Sequence, residues 1–100
     1  MTDDQLRLLT SLGYHAVTEM PGGLWAGLHP FIYTVGIVVG ALADRTGMYD
    51  DRWCYHGPVE ALAALHEWKS RAFDGEPGGW HRHPSSGRRR GADGTITIRP

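Results

Sequence analysis

Phe31-Ile32-Tyr33-Thr34-Val35-Gly36-Ile37-Val38-Val39-Gly40-Ala41-Leu42 is the stretch that decides the fold, because it is a long run rich in β-branched and aromatic residues. Residues of these types favour strands. Side chains alternate between the two faces of a strand, which puts the bulky residues Phe31, Tyr33, Val35, Ile37 and Val39 on one face. The other face carries small residues such as Gly36 and Gly40, and a backbone or helix can approach closely there. The run therefore predicts one long strand, at 31–42, with a bulky and a small face.

The segments around this run predict its partners in an antiparallel sheet. The polar stretch 43–47 ends in Gly47 and is typical of a turn, so residues 48–56 are expected to pair with 31–42 as a hairpin. Residues 14–19 predict a further short strand, and residues 24–28 are extended. His29-Pro30 is expected to interrupt the chain at a bulge, edge or bend, because proline donates no ladder hydrogen bond.

Two helices flank these strands. Thr2, with Gln5 three residues later, predicts a capping box at the start of a helix over about 3–12. Gly57-Pro58 opens the second helix, over about 58–72, since proline suits the first helical position. The predicted class is α+β: a three- or four-stranded antiparallel sheet packed by two helices, in the order α-β-β-β-α, followed by an extended C-terminal segment. We expect a core domain over 1–76 and a basic extended segment over 77–100 that packs back on the core.

The composition indicates the class of protein and the cellular compartment in which it works. The chain has 100 residues, 41% of them hydrophobic, which predicts a single globular domain. A lone cysteine, Cys54, forms no internal disulfide and favours a reducing, cytoplasmic compartment, and the acidic start of the chain does not resemble a signal peptide. The uncharged stretch 21–43 contains Pro30 and five glycines, which predicts strands and not a membrane span. We therefore expect a soluble protein without a membrane partner.

Charge is divided unevenly along the chain. Residues 1–76 hold ten acids and five bases, a net of −5, whereas residues 77–100 hold five arginines and one acid, a net of +4. Guanidinium groups bind phosphates and aromatic rings stack on bases, so the basic segment is the best candidate binding site. Its candidate residues are Trp80, His81, Arg82, His83, Arg88, Arg89 and Arg90. An equally good interpretation is a structural strap, in which the arginines pair with Asp44, Asp50, Asp51 or Glu60 and Trp80 fills the core.

The sequence contains two weak functional patterns, one for a metal site and one for a catalytic cysteine. Cys54, His56, His81 and His83 are the residue types of a tetrahedral zinc site, but their spacing is not that of a zinc finger, so no metal or other cofactor is predicted. Cys54 with His56 or His66 as base could act as a nucleophile, yet a mid-strand cysteine between Trp53 and Tyr55 is typical of a core residue. The sequence does not predict an enzyme.

Several motifs between Trp25 and Arg90 carry a family resemblance. They are Gly27-Leu28, the run from Phe31 to Gly40, Arg52-Trp53-Cys54-Tyr55, the helix positions Ala61, Leu65 and Trp68, Trp80-His81-Arg82-His83-Pro84, and Gly87-Arg88-Arg89-Arg90. In these residues, about two-thirds of the chain, the sequence resembles small uncharacterised proteins of tailed bacteriophages and prophages. The resemblance implies a phage or prophage origin and no particular activity.

Two classes of function follow. The first is a non-enzymatic phage accessory module that binds a host or phage protein in the bacterial cytoplasm, including as an inhibitor. The second is a protein that binds DNA or RNA through the arginine segment. The acidic body favours the first, because it repels a phosphate backbone.

Overall fold

An antiparallel sheet of four strands forms the centre of the molecule, in the order β1-β2-β3-β4. The computed structural model describes residues 1–81 and the strand backbones of 88–90 and 96–98. The elements are α1 (Asp3–Ser11), β1 (His15–Met20), β2 (Leu24–Phe31), β3 (Thr34–Ala41), β4 (Asp51–Tyr55), α2 (Pro58–Ser70), β5 (Arg88–Arg90) and β6 (Ile96–Ile98). The α+β class, with a four-stranded antiparallel sheet and two helices, is confirmed. Four strands, and not three, lie between the helices.

The additional strand arises because the run 31–42 is not continuous. The chain reverses at Ile32-Tyr33, so that Phe31 pairs with Thr34 and β2 and β3 form a hairpin. His29 and Pro30 do not interrupt the chain, since both belong to β2, but the predicted alternative of an edge position for the proline is confirmed. Proline is tolerated there because pairing of β1 with β2 ends at Leu28, which leaves β2 with a neighbour on one side only. The reversal also corrects the predicted bulky face, because Phe31 does not share the face of Val35.

Pairing of β3 with β4 is confirmed for 35–39 against 51–55. The predicted start of β4 at 48 is wrong, because residues 42–50 form a longer loop. This loop returns across one face of the sheet, where the Gly47 carbonyl accepts a hydrogen bond of 2.9 Å from the Tyr14 hydroxyl. Tyr49 then contacts Phe31, with ring centroids 5.9 Å apart.

Each face of the sheet is covered differently. On the α2 face, Ile37, Val39 and Ala26 pack with the helix residues Ala61, Leu65 and Trp68. On the opposite face, which we call the α1 face, Leu9 and Tyr14 pack on Trp25 and Val38. Burial of these apolar surfaces is the main stabilising contribution to the fold.

Glycines on the α1 face are covered by aromatic rings. A Cβ at position 36 would lie 2.5 Å from a ring carbon of Phe31, and one at position 40 would lie 2.8 Å from the Trp25 indole nitrogen. The close approach of another backbone that the small face predicts occurs at Gly40, where the Met48 carbonyl oxygen would lie 2.7 Å from a Cβ, and aromatic rings cover the rest of this surface.

Both helices start where their sequences predict. The Thr2 hydroxyl accepts from the Gln5 amide at 3.1 Å, and the Gln5 side chain accepts in return from the Thr2 amide. Proline stands at the first position of α2. Neither helix in the described part of the chain combines the length and the apolar character needed to cross a membrane.

Residues 95–98 could have been a tail or a strand on the sheet edge. The structure has Ile96–Ile98 as a strand, but its partner is Arg88–Arg90 in a separate two-stranded ladder.

Candidate functional site

Trp80 is held by the chain that follows α2. Its indole Nε1 donates to one carboxylate oxygen of Glu76 at 3.1 Å, while Trp53 donates to the other at 3.2 Å. Trp80 also packs against the core cluster on the α2 face and is half-buried. The edge of the Trp80 ring is therefore engaged within the protein.

The chain leading to Trp80 is packed on the core at two further points. Pro77 is fully buried, and the Tyr55 hydroxyl donates to the Gly78 carbonyl at 2.8 Å. Arg71 donates to the carbonyls of Asp74 and Glu76. The first residues of the predicted basic segment thus lie against the sheet.

His81 pairs with the outer edge of β4. Its backbone amide donates to the Cys54 carbonyl at 2.8 Å, and its ring stacks on His56 at 4.0 Å between centroids. Three of the four weak metal candidates, Cys54, His56 and His81, are therefore neighbours. Within residues 1–81, no group of three histidine, cysteine or acidic side chains is placed to hold a metal ion. His83 lies outside the described residues.

The arginine candidates are divided between two parts of the chain. Arg82 and His83 lie outside the described residues. Arg88, Arg89 and Arg90 form β5, with backbone register opposite Ile98, Thr97 and Ile96. Their role in binding stays a prediction.

The hairpin between β2 and β3 presents an apolar tip that sequence reasoning missed. Ile32 is 68% exposed and Tyr33 is 80% exposed, whereas the following Thr34 is buried. We call Ile32-Tyr33 the hairpin tip. A two-residue turn is ordinarily marked by glycine or asparagine, and this one contains neither. The sequence contains one indirect signal for this turn, the glycine at position 36. Without a side chain there, the Phe31 ring can pack on the sheet.

Tyr33 adopts a conformation that a bulky residue avoids. Its φ is +67°, in the left-handed region. Such a conformation costs about 1–2 kcal/mol for a residue with a Cβ. Phe73, another aromatic residue with a positive φ, lies three positions after the end of α2, and its ring packs on Trp68 at 5.2 Å between centroids. Tyr33, in contrast, is strained and largely exposed, and residues of this kind cluster at functional sites.

The end of the sheet that carries the tip includes the Arg52 guanidinium, which lies 5.0 Å from the centroid of the Phe31 ring, directly before the tip. Because β4 ends opposite Val35, the first turn of α2 lies at this same end, and its Val59 is 81% exposed. His15, at the start of β1, and His56, after β4, lie there too and are exposed. Glu60 is the one acidic residue in this first turn of α2. The tip is thus an apolar projection with imidazoles, a carboxylate and a guanidinium around it.

A groove lies at the opposite end of the sheet, between α1 and the chain that follows β3. Its volume is about 670 Å³. The residues that line it are Thr2, Asp4, Gln5, Leu8, Leu9, Trp25, Ala41, Leu42, Ala43, Asp44 and Arg45. We call it the α1 groove. The Gln5 amide donates to the Leu42 carbonyl at 3.2 Å and joins its two walls.

Asp44 keeps a negative charge at the rim of this groove. The hydroxyl and the backbone amide of Thr46 both donate to its carboxylate, at 2.6 and 2.9 Å, and these hydrogen bonds lower its pKa. The groove therefore combines leucine side chains in its walls with a hydrogen-bond acceptor that stays ionised at neutral pH.

Comparisons with known proteins identify no relative. No family model matches the chain, and neither a curated protein nor a solved structure is similar to it. The resemblance to phage proteins stays a prediction.

Proposed function

We propose that this chain is a non-enzymatic protein-binding module, a phage or prophage accessory protein of the bacterial cytoplasm, and that the hairpin tip is its anchor. The observation that carries the proposal is the exposed Tyr33 in a left-handed conformation. Its strain brings the fold no burial in return, and an exposed tyrosine on a tight hairpin is well suited to fill a pocket on another protein.

The surroundings of the tip support a protein partner. Protein interfaces are enriched in tyrosine and depleted of charge at their centre. Ile32 and Tyr33 project where the neighbouring residues carry imidazoles, the Glu60 carboxylate and the Arg52 guanidinium on Phe31. The body as a whole is acidic, with a net charge of −5 over residues 1–76. A partner with basic residues around an apolar pocket would be attracted by this charge, whereas nucleic acid would be repelled.

Affinity capture from bacterial lysate, treated with nuclease, tests the proposal with three forms of the chain. Tyr33→Ser removes the anchor, and Met48→Ser is the matched control, because Met48 is an exposed apolar residue outside the tip. We expect one protein to be retained by the wild type and by Met48→Ser and to be lost with Tyr33→Ser. Titration calorimetry with that protein, once purified, should show at least a tenfold loss of affinity, the size of a hot-spot residue. Retention that is unchanged by Tyr33→Ser, or that disappears with nuclease, would contradict the proposal.

Nucleic-acid binding is the second candidate, and one observation favours it. Arg88–Arg90 form one strand of a two-stranded antiparallel ribbon with Ile96–Ile98. The major groove of DNA admits such a ribbon, and arginine binds both phosphates and guanine edges. The half-buried, hydrogen-bonded Trp80 speaks against a stacking surface that includes its ring.

Salt dependence separates the two candidates. Phosphate binding by four arginines should show log K falling by about 0.7–0.9 per contact for each log unit of salt. Replacing Arg88, Arg89 and Arg90 with alanine should then abolish binding to a duplex DNA oligonucleotide and leave the lysate capture unchanged. A steep salt slope for the only detectable ligand, lost in this variant, would establish the nucleic-acid function instead.

A further inference from the structure

The indole ring of Trp25 is part of the lining of the α1 groove, although the residue is fully buried. One corner of the ring, Cζ3, would lie 3.4 Å from a Cβ at position 27, whereas Nε1 would lie 2.8 Å from a Cβ at position 40. Gly40 is followed directly by residues 41–45, which form one wall of the groove. The edge of the indole that carries the N–H group is therefore the edge turned toward this wall.

The N–H group of Trp25 has no hydrogen-bond acceptor within residues 1–81. Each of the other three tryptophans donates its N–H to an acceptor: Trp53 and Trp80 to the Glu76 carboxylate, and Trp68 to the Asp74 carbonyl. A buried indole N–H ordinarily has such a partner, because a desolvated donor without an acceptor lowers stability. A molecule that brings an acceptor to the base of the groove would remove this cost.

The charged side chains of the groove lining balance one another. The acidic residues of the lining are Asp4 and Asp44, and the basic residue is Arg45. Asp4 is paired with Arg7, whose guanidinium nitrogen lies 3.3 Å from its carboxylate oxygen. Asp44 and Arg45, which are adjacent in the chain, then leave one charge of each sign at the rim. Such a rim attracts neither anions nor cations over the other, which favours a neutral ligand.

We propose that the α1 groove binds a small, neutral, largely apolar molecule that carries a hydrogen-bond acceptor, such as a carbonyl oxygen, for the N–H group of Trp25. Leu8, Leu9 and Leu42 supply the apolar walls. The volume of about 670 Å³ lies within the range of roughly 300–1,000 Å³ that is usual for clefts that bind small ligands. The groove and the hairpin tip lie at opposite ends of the sheet, so this site is separate from the proposed protein-binding surface.

Two probes of nearly identical shape test the role of the acceptor. Acetophenone carries a carbonyl oxygen at the position where α-methylstyrene carries a CH₂ group. Each probe is titrated into the isotope-labelled full chain, and binding is followed by NMR at the four indole N–H resonances. We expect acetophenone to bind with a dissociation constant of about 0.1–1 mM, ordinary for a molecule of this size. It should bind about fivefold more tightly than α-methylstyrene, which is the contribution of one hydrogen bond.

Substitutions in the groove locate the site. Trp25→Phe keeps an aromatic ring but removes the N–H group, so the preference for acetophenone should disappear, and the missing resonance identifies Trp25 in the wild type. Leu8→Gln removes an apolar wall and should weaken the binding of both probes by about fivefold. Leu6→Gln is the matched control, because Leu6 is 40% exposed on the same helix and lies outside the lining. This control should bind both probes like the wild type.

Three results would overturn the proposal: no binding of acetophenone to the wild type, equal affinity of the wild type for the two probes, or a preference for acetophenone that survives Trp25→Phe. Circular dichroism shows whether each variant is folded. If Trp25→Phe does not fold, the comparison of the two probes in the wild type and in Leu8→Gln decides. Tyr33→Ser should bind acetophenone like the wild type, so a failure of the groove and a failure of the hairpin tip as an anchor are distinguishable.

Discussion

Tyr33 is the residue at which local preference and observed conformation disagree most. A left-handed φ of +67° at an 80% exposed tyrosine is strained without any gain from burial. The strain is imposed by the pairing of Phe31 with Thr34, which leaves two residues to reverse the chain. The side chain at position 33 thus carries a cost to stability, and this cost supports the proposal that the tip binds a partner.

Replacing Tyr33 with asparagine should stabilise the protein. Asparagine adopts the left-handed region readily, so Tyr33→Asn is expected to raise the free energy of unfolding by about 0.5–1 kcal/mol. Urea unfolding followed by tryptophan fluorescence measures the change. Tyr33→Ser, which removes the ring but keeps most of the strain, is the control and should stay within about 0.5 kcal/mol of the wild type. A loss of stability in Tyr33→Asn would show that the ring supports the fold.

Glu76 joins two tryptophans through one carboxylate. Trp53 is only 5% exposed, so its indole N–H loses the Glu76 carboxylate as acceptor when Glu76 is removed. Glu76→Ala is therefore expected to cost about 1–3 kcal/mol in thermal or urea unfolding. Glu76→Gln keeps one side-chain oxygen as acceptor and should cost less than the alanine variant. Equal stability of all three proteins would contradict a structural role for this contact.

The β2–β3 hairpin depends on a fit between an aromatic ring and a glycine. The ring of Phe31 occupies the space that a Cβ at position 36 would need, 2.5 Å from its Cε2 atom. Phe31 in turn contacts His29 and Tyr49, with centroid distances of 5.2 and 5.9 Å. The hairpin is thus tied to the loop 42–50 by a row of rings across the α1 face.

Gly36→Ala should therefore destabilise the hairpin. The added methyl displaces the Phe31 ring, and overpacking of this kind costs about 1–3 kcal/mol. Gly57→Ala is the matched control, since nothing lies within 4 Å of a Cβ there and its cost is limited to roughly 0.5–1 kcal/mol for the N-cap preference of glycine over alanine. Unfolding curves of the two variants make the comparison. A Gly36→Ala protein as stable as Gly57→Ala would mean that the ring moves away freely.

At the scale of the whole molecule, each face of the sheet carries a buried tyrosine whose hydroxyl donates a hydrogen bond to a backbone carbonyl. Tyr14 reaches Gly47 on the α1 face, and Tyr55 reaches Gly78 on the other. Burial raises the pKa of both phenols, and the nearby Glu76 carboxylate raises that of Tyr55 further. At a pH at which a tyrosine of the unfolded chain ionises, both hydroxyls therefore stay protonated in the folded protein.

Alkaline pH should therefore unfold the protein. A folded-state pKa above the unfolded value, near 10, means that the stabilisation is complete below about pH 10 and is lost as pH rises further. Urea midpoints measured from pH 8 to pH 11 should fall above about pH 10. Tyr55→Phe should be less stable at pH 8 but should decline less steeply. A midpoint independent of pH up to 11 would contradict the buried, protonated state of these phenols.

Local signals in the sequence were sufficient for the helices and for the class of the fold. Thr2 with Gln5, and Gly57-Pro58, act within one turn of the chain, so both helix starts were predicted correctly. The alternation of Val35, Ile37 and Val39 likewise predicted a strand paired with residues 48–56, and the structure confirms this pairing for 51–55. These features depend on neighbours in the chain and on no distant contact.

Only the tertiary structure decided where the long apolar run reverses and what is left exposed. Nothing local marks Ile32-Tyr33 as a turn, because neither residue favours it. The reversal is stabilised by ladder pairing of β2 with β3 along their whole length and by the Phe31 ring on Gly36. The α1 groove likewise exists because Gln5 meets the Leu42 carbonyl, 37 residues away. The sequence by itself determined the elements, whereas the hairpin tip and the groove follow from contacts between distant residues, whose cooperative burial outweighs the local preference of a strained tyrosine.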